Sequence, residues 1–262
     1  MPDLFRRRSA ALALAGLALG AGAPALAQPG AAPPVVLTVS AAASLAEAMR
    51  ELGTRFEAAN PGTTVRLNLA ASGVLVQQLI QGAPVDVFAS ADEASMDRAV
   101  RAGVVDATTR RVFATNTLVI VVPADGSARI ASVADLAGPA VRRIAIGKPE
   151  TVPAGRYAGE ALAAAGIAAA VQPRLVFADH VRQVLDYVAR GEVDAGFVYR
   201  SDAAVMASRV RVAAPARGHA PITYPVAAVK DSRHAAPARR FVAFLGSGEA
   251  QAVLAKHGFG PP

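Results

Sequence analysis

The chain has 262 residues, 53% of them hydrophobic, no cysteine, no tryptophan and a formal charge of +7. Without cysteine there is no disulfide framework, thiol nucleophile, cysteine metal site or lipid-attachment cysteine. The positive charge is mild and dispersed and aromatics make up only 5%, which speaks against nucleic-acid binding.

Arg6, Arg7 and Arg8 precede a short apolar stretch, Ala10 to Leu19, and Ala25-Leu26-Ala27 forms a small-x-small cleavage site. This pattern predicts a signal peptide over 1–27 and a mature chain that starts at Gln28. The apolar stretch is too short to anchor the chain in a bilayer, so a soluble periplasmic protein is expected.

After a Pro/Ala/Gly leader, strand-like and helix-like segments alternate. Val35 to Ser40 reads as a strand, and Ser44 to Ala59 as a helix closed by Asn60-Pro61-Gly62. Thr64 to Leu69 is a strand, Val74 to Gln81 a helix, and Val85 to Ser90 a buried strand before a helix from Asp92 to Arg101. Leu118 to Val122, Arg142 to Ile146, Leu175 to Phe177 and Val193 to Tyr199 are further strands. Helices are predicted to start near Ser132, Ala154, Asp179 and Ser201. The rhythm predicts an α/β fold of mostly parallel sheets flanked by helices. A late strand, Tyr224 to Val229, and a helix from Ala236 to Leu245 are expected to return to the first half. That return divides the chain into lobe I (35–116 plus 224–262) and lobe II (117–223), with crossings near Asn116-Thr117 and Thr223-Tyr224.

At four places an apolar run ends in small or hydroxylated residues and a helix begins at once. These junctions are Val39 to Ser44, Leu69 to Gly73, Thr151 to Gly155 and Phe177 to Val181. Each would aim unpaired N–H groups and the positive end of a helix dipole at whatever lies in front. Few cationic side chains stand at these tips, which points to an oxyanion held by neutral donors. Ser44-x-x-Glu47 also matches a capping box, and Ser72-Gly73 also fits a simple turn. Tyr199 is either a core residue or a hydroxyl that projects past its strand into a cleft. Enzyme signatures are largely missing: there is no His-Glu-x-x-His, no Gly-x-Ser-x-Gly and no phosphate loop. The four histidines have no metal spacing.

Taken together, these segments resemble the periplasmic molybdate-binding proteins of molybdate ABC transporters. The matching stretches, in family order, are Ala41 to Leu45, Leu69 to Gly73, Gly82 to Asp92, Pro149 to Ala158, Asp179 to Arg182 and Gly196 to Ala203. The resemblance implies a two-lobed type II periplasmic solute-binding fold that closes over one tetrahedral oxyanion in the cleft between its lobes. It implies ligand contacts from Ser44 and Ser72 (hydroxyl and N–H), Ala154 and Val181 (N–H) and Tyr199 (phenol). Molybdenum would be held only through its oxo groups, with no direct protein–metal bond, no cofactor and no catalysis. Molybdate or tungstate would be the cargo and an ABC permease the partner of a monomeric protein that binds no nucleic acid.

Three positions depart from the family pattern. Glu47 brings negative charge near Ser44, His180 stands where an acidic residue is common, and Ala71 replaces a serine. Two other readings are a binder of another anion, such as sulfate or a carboxylate, and an exported hydrolase. A carboxylate binder would place an arginine in the pocket, but Arg156 and Arg182 are expected to point to solvent. A hydrolase would need Glu47 or His180 as its base. Tyr199→Phe and Ser72→Ala are each expected to weaken binding and leave the stability of the empty protein nearly unchanged.

Overall fold

A computed structural model describes residues 34–262, and the predicted signal peptide lies outside the described residues. The β-branched run at the start forms β1 (Val35–Ala42), buried along its second half. A 3-10 turn, Ala43–Leu45, leads into α1 (Ala46–Ala59), which buries Met49, Leu52 and Phe56 on one face. Asn60 ends that helix by donating from its side chain to the Phe56 carbonyl at 2.8 Å. There follow β2 (Thr63–Ala70), α2 (Ser72–Ile80), β3 (Val87–Ala89), α3 (Glu93–Arg101) and β4 (Arg111–Asn116). Asp92 caps α3, accepting from the Ser95 N–H at 3.2 Å, as a short acidic side chain before a helix should.

The chain then builds β5 (Leu118–Pro123), β6 (Ile144–Gly147), α4 (Pro153–Ala164), the one-turn α5 (Ala168–Val171) and β7 (Leu175–Ala178). It continues through α6 (Val181–Ala189), β8 (Ala195–Tyr199), α7 (Arg200–Val205) and β9 (Val210–Pro215). Then come β10 (Ile222–Ala228), α8 (Ala235–Phe244) and α9 (Gly248–Lys256).

The strands form two five-stranded sheets, ordered β2-β1-β3-β10-β4 and β7-β6-β8-β5-β9. Each is the centre of one lobe. The expected parallel rhythm holds for β2-β1-β3 and for β7-β6-β8. The strands next to the two crossings, β4, β5, β9 and β10, pair antiparallel, so both sheets are mixed. The late strand does return to the first sheet, where β10 lies between β3 and β4. The helix expected near Ser132 is only a 3-10 turn, Val133–Ala137. Gly138-Pro139 follows it immediately and stops propagation.

Two lobe cores meet through aromatic rings. Phe56 and Phe241 pack edge to face at 5.0 Å in the first lobe. Tyr224 of β10 meets Tyr199 of β8 in a T-shaped contact with centroids 5.8 Å apart, which places one ring from each lobe beneath the cleft.

Candidate oxyanion site

Helices α2, α4 and α6 and the turn before α1 all start at the carboxyl ends of strands, where open α/β sheets bind ligands. The first N–H groups of a helix have no acceptor within it. The N–H groups of Ser44, Ser72, Ala154 and Val181 also donate to no turn or loop carbonyl among the described residues. Pro153 opens α4, so the first available donor there is Ala154.

Ser44, Ser72, Ala154, Val181 and Tyr199 all line one small pocket between the lobes. Ala42, Ala71, Ala91 and Val152 supply most of the remaining wall, and none of the residues lining it is charged. Each of the five is at most 4% exposed. The Tyr199 hydroxyl is buried and has no hydrogen-bond partner. A buried hydroxyl left unpaired costs free energy, so this group is poised for a ligand. Burial pushes its pKa well above the ordinary phenol value, so it remains a donor.

The Ser72 hydroxyl is set up to donate as well, and the Ser44 hydroxyl is held by a neighbouring phenol. Ser72 Oγ accepts the Ala91 N–H at 3.0 Å, which leaves its own proton for the pocket. Asn116 Nδ2 donates to the Tyr224 hydroxyl at 3.3 Å, and that hydroxyl lies 3.1 Å from Ser44 Oγ. When Tyr224 donates its proton to Ser44 Oγ, the serine proton is free for the pocket. Asn116, Tyr224 and Ala91 carried no sequence signal for this role, because each acts through a contact made only in the folded chain.

Several expectations need correction. Ser44 does not form a capping box: the residue before its turn is Ala42, with no side-chain cap. Glu47 instead pairs with Arg182 from the other lobe, so its charge is neutralised rather than presented to the pocket. Arg182 and Arg156 do not point to solvent. Arg156 pairs with Asp92 across the cleft, and neither arginine lines the pocket. His180 caps α6, its Nδ1 accepting the Gln183 N–H at 3.1 Å. Among the described residues, neither serine hydroxyl is hydrogen-bonded to Glu47 or His180. No group of three metal-ligating side chains occurs among the described residues.

The lobes are in contact above the pocket. Gly73 of α2 donates its N–H to the Thr151 carbonyl at 3.0 Å, from one lobe to the other. Two mixed sheets closing on a buried pocket of neutral donors define a solute-binding protein for a small anion. The chain belongs to the bacterial extracellular solute-binding protein family, whose profile matches residues 37–260. Among its relatives, the molybdate-binding protein of Mycobacterium bovis is 39% identical over 228 residues, 86% of this chain and 85% of that one. The molybdate-binding protein of Escherichia coli is 37% identical over 234 residues, 85% of this chain and 88% of its own. The solved periplasmic molybdate-binding protein of Azotobacter vinelandii superposes with a TM-score of 0.77 at 27% identity, covering 86% of this chain and 99% of that one.

Proposed function

We propose that this protein captures molybdate, and tungstate equally, in the periplasm and delivers it to the membrane permease of an ABC importer. The observation that carries this reading is the buried, unpartnered Tyr199 hydroxyl in a pocket shared with Ser44 and with Ser72, whose Oγ already accepts the Ala91 N–H. In this reading Ser44, Ser72, Ala154, Val181 and Tyr199 hold the oxo groups. The lobes are residues 35–116 plus 224–262 and residues 117–223. The protein is exported by a cleaved signal peptide and works as a monomer without nucleic acid.

A site made only of donors suits a fully ionised dianion. Each hydrogen bond to a charged partner contributes about 1.5–3 kcal/mol, so several together exceed the roughly 12 kcal/mol of nanomolar binding before closure takes its share. Phosphate carries a proton near neutral pH and needs an acceptor that this pocket does not offer. Sulfate is smaller, so donors spaced for a larger tetrahedron reach it less well.

Calorimetry on the protein without its leader tests this directly. Molybdate and tungstate are expected to bind tightly and alike, sulfate and phosphate weakly. Sulfate binding as tight as molybdate would assign the site to a different oxyanion.

A further inference from the structure

Arg182 stands one residue after the Val181 donor, on the first turn of α6, and its side chain is only 16% exposed. Its guanidinium reaches three groups. Nη2 pairs with Glu47 of α1 in the opposite lobe and donates to the Ser44 carbonyl at 3.3 Å. Nε lies 2.6 Å from Oδ1 of Asp202, a fully buried carboxyl. The other Asp202 oxygen accepts the Tyr199 N–H at 3.0 Å.

Two of the five candidate anion contacts are therefore tied to one side chain that does not touch the pocket, and a third is its chain neighbour. Val181 is its chain neighbour, Ser44 is held through its carbonyl, and Tyr199 is held through Asp202. Because Glu47 and Ser44 belong to one lobe and Val181, Tyr199 and Asp202 to the other, the set can be complete only when the lobes are shut. We propose that Arg182 is a positioning residue that couples lobe closure to donor alignment, so that the captured anion is released only when the Arg182–Glu47 pair opens. The inference rests on the oxyanion-binding reading of the same pocket. It differs from a surface ion pair, which contributes little and is indifferent to ligand, because the guanidinium is largely buried and holds backbone at the site.

The test uses Glu47→Gln, which removes the cross-lobe carboxylate along with its looser, exposed pairing to Arg50 at 3.5 Å, and Arg182→Lys, whose single ammonium cannot span all three acceptors. Molybdate association and release are followed by stopped flow at several salt concentrations, alongside melting of the empty proteins. Release is expected to quicken about tenfold or more in both variants, with association changed little and melting of the empty Glu47→Gln protein unchanged. Wild-type release should accelerate with added salt, and Glu47→Gln should respond less steeply. If the wild-type protein binds molybdate and both variants release it at the wild-type rate, the coupling role is wrong. If the wild-type protein binds no molybdate, the oxyanion reading fails and takes this inference with it.

Discussion

The Gly73 N–H and the Thr151 carbonyl, 3.0 Å apart, join the two lobes at the edge of the pocket. A Cβ on Gly73 would lie 2.6 Å from that same oxygen and 2.8 Å from the Thr151 Cα. Both are backbone atoms and cannot swing aside. Gly73→Ala should therefore block closure while suiting the helix itself, where alanine is favoured over glycine by about 1 kcal/mol. The empty variant should melt at or slightly above the wild-type temperature, and molybdate affinity should fall at least about a hundredfold, roughly 2.7 kcal/mol. Unchanged affinity by calorimetry would mean that the lobes need not meet at this point.

Tyr199→Phe removes a hydroxyl that bonds to nothing in the protein and keeps the ring contact with Tyr224. Stability of the empty protein should hold or rise slightly. Affinity should drop by about 10- to 150-fold, the value of one hydrogen bond to a charged group. Melting curves and calorimetry on the same preparation separate the two effects.

For Ser72→Ala the structure predicts a cost in stability as well as in affinity. Ser72 Oγ is the acceptor for the buried Ala91 N–H, and alanine would leave that donor unpaired. A loss of about 1–3 kcal/mol in the empty protein is expected, in addition to weaker anion binding. Chemical denaturation of the ligand-free variant gives the number.

Burial pushes the Asp202 carboxyl up to about 6, against the pull of the Arg182 guanidinium and the Tyr199 N–H. Its unfolded value is near 3.9. Because the folded value is the higher one, the contribution of this group favours the fold in full below about pH 4 and is lost as pH rises through 6. The whole effect is on the order of 3 kcal/mol. Melts of ligand-free wild type and Asp202→Asn between about pH 5 and 7.5 should show the wild type losing stability relative to the variant as pH increases. A constant difference across that range would place the Asp202 pKa near its ordinary value.

What could be read from the sequence follows from locality. Strand ends followed at once by helix starts are local patterns, so Ser44, Ser72, Ala154, Val181 and Tyr199 were legible, and they come together in one pocket. The capping-box reading of Ser44 failed because Tyr224, 180 residues away, takes its hydroxyl. The orientation of Arg156 and Arg182 was illegible for the same reason: Asp92 and Glu47, with which they pair, lie on the other lobe. Strands β4 and β9 went unread. Arg211 interrupts the apolar run of β9, β4 has only Val112, Phe113 and Ala114 between polar ends, and both are edge strands.

The position of β10 sets an order of assembly. The second sheet has all its strands once Pro215 has been made, whereas the first waits for a strand that must slot between β3 and β4. A growing chain therefore reaches a finished second half beside an interrupted first half. Pairing across so long a loop is slow because the entropy of closing it precedes any reward. Completion of the first sheet, and with it of the first core, therefore waits until the chain has been made as far as Ala228.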